Sequence, residues 1–128
     1  MRALLWLLMV LAALGPASAV AQESLPAPKL KLTPAIGWRL TAVLRVDVER
    51  DVPVLIVEGD VINSSQSERP SPTIRFGLLA RDGAELHHWT ARPNEARIKP
   101  GDFAVFETRL ESPPPEAATV EIQTIESE

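Results

Sequence analysis

The sequence predicts an all-β domain, an immunoglobulin-like antiparallel β-sandwich of about six or seven strands, preceded by an N-terminal signal helix. Three observations predict it. Apolar residues recur at every second position in several windows from Trp38 onward, the period of a half-buried strand. These windows are short and are separated by turn formers, Asn63-Ser64-Ser65, Arg81-Asp82-Gly83 and Lys99-Pro100-Gly101-Asp102, as in sandwiches. No window beyond the first residues has helical spacing. The helical crossovers that parallel strands need are therefore not expected.

The elements follow in order. Residues 1–21 read MRALLWLLMVLAALGPASAVA. Arg2 supplies a positive start, Ala3 to Leu14 is unbroken apolar sequence, and Ala17-Ser18-Ala19 and Ala19-Val20-Ala21 are small-x-small triplets. This is the layout of a secretory signal peptide, with cleavage expected after Ala21. The alternative is an uncleaved anchor, although a span needs about 20 apolar residues. Either outcome places the rest of the chain in the periplasm or outside the cell. Membrane contact is expected only if the segment is retained. Residues 22–36 carry Pro26, Pro28 and Pro34, which favour extended backbone, and are read as a Pro-rich tether. A short edge strand through Leu30 and Leu32 competes with that reading. Residues 37–128 form the sandwich.

Within it, Leu44, Val46 and Val48 alternate with Arg45, Asp47 and Glu49. Pro53 to Ile62 places Leu55, Val57, Gly59 and Val61 on one face. After the polar loop Asn63 to Pro72, Thr73 to Ala80 turns Ile74, Phe76 and Leu78 inward. Asp82-Gly83 tolerates the positive φ of a hairpin, and Glu85 to Ala91 returns. Arg92 to Lys99 is irregular. Pro100 presets φ in the next turn. Phe103 to Leu110 and Thr119 to Ile125 complete the set, with Phe106, Leu110, Val120 and Ile122 inward and Pro113-Pro114-Pro115 between them.

Composition narrows the function. The chain has 128 residues, 45% hydrophobic and 23% charged, near the averages for a folded domain. It has no cysteine, which excludes disulfides, thiolate metal sites and a cysteine nucleophile. A net charge of −4 gives no basic excess to neutralise phosphates, so nucleic acid is not an expected partner.

The stretch from Val54 to Ile125 carries a recognisable order: VLIVEGDVIN, a Pro-rich loop, IRFGLLARDG, ELHHWTARP, IKPGDFAVFETRL and ESPPPEAATVEI. Its tail, Pro100-Gly101-Asp102, Phe106, Leu110, Pro113-Pro114, Ala117 and Val120, is the most specific part. This resembles an uncharacterised bacterial family of small extracytoplasmic β-sandwich domains of FxLYD type. Such domains are often found after a zinc ribbon and one membrane helix. The ribbon is absent here. The resemblance implies the fold and carries no chemistry.

Candidate sites weigh against catalysis. His87 and His88 are the only histidines, and strand neighbours point to opposite faces, so they do not chelate one ion together. The loop serines, Ser64, Ser65, Ser67 and Ser71, lack a Gly-x-Ser-x-Gly elbow. Asp47, Glu49, Glu58 and Asp60 read as the solvated face of a sheet. No cofactor, metal or enzymatic activity is expected. The expectation is a non-catalytic periplasmic module that binds an envelope protein. Its candidate surface is Trp89 and His87, thought to share a face with Glu85, beside Arg92, Arg97 and Lys99. Aromatic and Arg residues favour the centres of interfaces. The alternative is a small-ligand or carbohydrate binder that stacks sugars on an exposed Trp89 or Trp38.

Overall fold

A computed structural model describes residues 27–126. The signal segment and the first part of the tether lie outside the described residues. Nine strands follow one another: β1 (Lys29–Thr33), β2 (Trp38–Glu49), β3 (Val52–Asn63), β4 (Arg69–Pro70), β5 (Thr73–Leu79), β6 (Glu85–Ala91), β7 (Arg97–Ile98), β8 (Phe103–Glu111) and β9 (Thr119–Ile125). Seven are long enough to build layers. The other two, β4 and β7, are a two-residue clasp between the loops that precede β5 and β8.

Each long strand forms where the alternation predicts it. The turns obey local chemistry. In the β5–β6 hairpin, Gly83 adopts φ 91° and its N–H donates to Ala80 O at 2.9 Å, while Asp82 Oδ1 accepts from Ala84 N at 3.0 Å. Between β7 and β8, Asp102 N donates to Lys99 O at 3.0 Å and Gly101 has φ 80°. Pro at the second and Gly at the third position suit that turn. The β2–β3 hairpin is less comfortable. Its two central residues, Arg50 and Asp51, have φ 53° and 66°, a left-handed pair that glycine and asparagine adopt far more readily.

The strands form two layers. One sheet runs β1-β9-β5-β6, the other β2-β3-β8. The pairing is that of an immunoglobulin-like sandwich, with β2, β3 and β8 in the places of A, B and E and β5, β6 and β9 in those of C, C′ and F. The place of G, beside β9, is taken by the N-terminal β1. It runs parallel to β9 in the register Lys29↔Thr119 through Thr33↔Gln123. This is the one parallel pair among the described strands. It needs no helical crossover because the whole domain separates its two members.

Residues 22–36 are therefore not tether throughout. Lys29–Thr33 is an edge strand, and the sandwich begins there rather than at residue 37. Alternation of Leu30 and Leu32 with lysines outweighed the flanking prolines, which sit just outside the strand.

The core lies between the sheets. Leu55, Val57, Val61, Ile74, Phe76, Leu78, Phe106, Val120 and Ile122 are buried as their alternation requires. Val46 and Leu110 pack against this cluster but remain half-buried near the edges of their sheet. Trp38, Leu40, Ile98 and Ala104 join it. Gly59 faces Phe106 in register. A Cβ at Gly59 would lie 2.6 Å from Phe106 Cζ and would overlap the Thr41 carbonyl oxygen, so only glycine lets the ring close over the strand.

On the outer face of the three-stranded sheet, Val54 and Ile56 are also buried. Ile56 is flanked in register by Arg45 and Arg109. Arg45 pairs with Asp47 at 3.2 Å and Arg109 pairs with Glu49. Such side chains cover apolar neighbours with their stems and keep their heads in water.

Candidate interaction surface

Trp89 is half-buried and belongs mainly to the core. Its ring stacks on Phe76 with centroids 5.3 Å apart, and its Nε1–H donates to Thr108 Oγ1 at 2.8 Å, tying β6 to β8 across the layers. The exposed His87 stacks on the same indole at 5.5 Å. Glu85 does not share their face. The register steps from Leu78↔His87 to Leu79↔Glu85, so Leu86 is an extra residue, a β-bulge, and the alternation reverses there. The Glu85 carboxylate consequently meets Arg75 in a two-bond fork, both bonds 3.0 Å, and His88 Nδ1 at 3.0 Å. Gly77 makes room for it: a Cβ there would lie 3.1 Å from Glu85 Oε1. The hydrogen bonds from Arg75 hold the Glu85 carboxyl below its ordinary value.

Arg92, Arg97 and Lys99 line two depressions, neither of which includes Trp89. Arg92 lines a depression with Pro70, Ser71 and Asn94. Arg97 is paired with Glu68 at 2.8 Å. Arg97 and Lys99 line a different depression, whose wall includes Glu95, Asp102 and Phe103. Alternation in the sequence marks Phe103 only as the first residue of a strand. It is 57% exposed, with Val105 at 42% and Val43 at 64%. All three point outward from the β2-β3-β8 sheet. Ile62 sits directly across from Phe103. Strand parity alone marks Phe103 and Val105 as outward-facing, and that signal was available.

Trp38 is not a platform for a ligand. It is 3% exposed, its Nε1–H donates to Glu126 Oε2 at 2.9 Å, and the Arg69 guanidinium lies 4.6 Å from its ring centroid. Arg69 donates to the same carboxylate at 2.9 Å. The sugar-stacking reading of Trp38 is thereby corrected. The indole that alternation placed at the start of a strand is claimed by the core on one side and by a cation on the other.

Asn63 is more than a turn former. It is fully buried. Its Nδ2 donates to Ser67 O and Ile98 O, both at 2.8 Å. Its Oδ1 accepts from Ser65 N at 2.9 Å and Ser65 Oγ at 2.7 Å. Its backbone bonds Asp102 O at 3.0 Å and Gly101 N at 2.8 Å. One amide therefore joins the serine loop, the clasp and the turn that carries Phe103. Asn94 serves the same edge: its N–H and its Oδ1 pair with Val105 O and Val105 N, each at 2.9 Å, which occupies backbone groups that an edge strand would otherwise expose.

Among the described residues, no group of three or more His, Asp or Glu is placed to hold a metal ion, and no helix is long and apolar enough to cross a membrane. Comparisons with family models, with curated proteins and with solved structures gave no match.

Proposed function

We propose that this chain is a non-catalytic extracytoplasmic module that binds an envelope protein through the Phe103 end of its three-stranded sheet. One observation carries the reading. Phe103 and Val105 are exposed apolar side chains on one sheet face, and Ile62 lies directly across from Phe103; single scattered residues would need no explanation where such a grouping does. Arg97 and Lys99, with Glu95 and Asp102, border Phe103. A partner that fits presents an apolar plug with charges of both signs around it. The N-terminal layout of Arg2, apolar run and Ala-x-Ala supports export. Trp89, stacked on Phe76 and His87, lies on the other sheet and is not part of this surface.

The test is a photo-crosslinking residue at position 103, introduced in the host. We expect one discrete adduct, identifiable by mass, that binds again when both purified proteins are mixed. A Phe103→Ala, Val105→Ala double variant should keep its thermal midpoint and lose at least tenfold in affinity, the equivalent of about 1.4 kcal/mol. Undiminished binding of that variant would remove this surface from consideration.

A further inference from the structure

We propose that β1 is an exchangeable strand, and that two copies of this chain dimerise by trading Lys29–Thr33 across their β9 edges. This goes beyond the partner surface above and does not depend on it.

Within one chain, β1 occupies the edge of β9 in a defined parallel register. A second copy's β1 would make the same bonds, because the sequence is the same. What holds β1 is modest. Only Leu30 packs against the core, and the other four residues are exposed. Side-chain ties among the described residues are the exposed Thr33 Oγ1 and Lys31 Nζ, at 3.2 and 4.0 Å from Glu121 Oε2, and, just past the strand, Ala35 N–H to Thr124 Oγ1 at 2.8 Å. No tight turn joins β1 to β9, since Thr33 and Thr119 are separated by the whole domain. Release of β1 leaves the remaining six long strands paired as they were.

The hinge is short. Pro34 to Gly37 must carry the chain from one sheet to the other in four residues. Pro34 biases Thr33 toward extended backbone, which suits a strand that runs straight on. The bend is a turn closed by Trp38 N–H to Ala35 O at 3.1 Å, with Gly37 at φ 92°. Beside it, Ile36 is 98% exposed, the most solvent-exposed large apolar residue described. It contributes nothing to the closed monomer. In an isologous exchange the two hinges cross near the two-fold axis, and the two Ile36 side chains meet there.

The absence of cysteine makes the test clean. Lys31 and Glu121 are opposite each other on the exposed face of the β1–β9 pair. Two differently tagged full-length chains, one Lys31→Cys and the other Glu121→Cys, are produced together in the host. We expect a disulfide joining the two tags, and a species of twice the monomer mass by light scattering. The same two substitutions in a single chain calibrate the reporter: closed monomers form an internal disulfide. Internal disulfides in that chain without any mixed-tag product would overturn the proposal. So would a dimer that shows no mixed-tag disulfide, or capture of a foreign protein on Glu121→Cys in place of the second copy. A second variant removes Ala35 and Ile36. The shortened hinge cannot make the bend, so the dimer fraction should rise. A monomer that keeps β1 in place would refute the hinge argument.

Discussion

Replacing Asn63 with alanine removes four hydrogen bonds in one step and leaves their partners behind. Ile98 O is the costliest, because that bond is buried; an orphaned buried acceptor costs about 1–3 kcal/mol. Ser67 O and Ser65 N lie in part-buried surroundings and recover water, so each bond loses about 0.5–1.5 kcal/mol. Together the substitution should cost roughly 3–5 kcal/mol, a large share of the ~5–15 kcal/mol typical of a domain. The assay is urea denaturation, in which the midpoint should fall with little change in slope. Two further variants separate the terms. Ser65→Ala removes only the hydroxyl partner and should cost about 1 kcal/mol. Asn63→Asp keeps the acceptor toward Ser65 but turns a second acceptor toward Ile98 O and Ser67 O. It should be worse than alanine at neutral pH and recover as acid protonates the new carboxyl, whose folded pKa is raised. Asn63→Ala within about 1 kcal/mol of the parent would refute the reasoning, because one buried orphan alone accounts for that much.

Three other outcomes follow from the same structure. Gly59→Ala places a methyl inside the space of Phe106 and the Thr41 carbonyl, and thermal melts should show a loss of about 3 kcal/mol or a failure to fold, the upper end of overpacking costs. Arg50→Asn with Asp51→Gly relaxes two left-handed residues and should raise stability by about 1–2 kcal/mol; no gain would show that the turn is not strained. Glu85 has its folded carboxyl pKa depressed, chiefly by hydrogen bonds from Arg75. Its contribution is therefore present above the ordinary value of 4.5 and is lost as pH falls through the lower folded value. Glu85→Gln should flatten the acid limb of a stability-versus-pH profile, and an unchanged limb would assign that dependence elsewhere.

The sandwich was legible in the sequence because its determinants are local. Alternation at Leu55-Val57, Ile74-Phe76-Leu78 and Val120-Ile122 needs only neighbouring residues to state which face is apolar, and Asp82-Gly83 and Pro100-Gly101 announce turns by their own backbone preferences. Beyond the hairpin at Asp82-Gly83, what sets one strand beside another was decided by tertiary structure. The parallel place of β1 on β9 depends on groups some ninety residues apart, which no window contains. Leu86 reverses the face of Glu85 because of how β6 registers against β5, and that register is a property of the pair. Trp38 and Trp89 read identically as apolar strand residues, yet one is closed in beneath Arg69 and Glu126 and the other bridges two sheets through Thr108. Asn63 and Ser65 look like any loop-forming pair until Ile98 and Gly101 arrive from a distant turn to need their hydrogen bonds. Periodicity encodes which side of a strand avoids water; it carries no term for which distant strand will supply the other half of a bond.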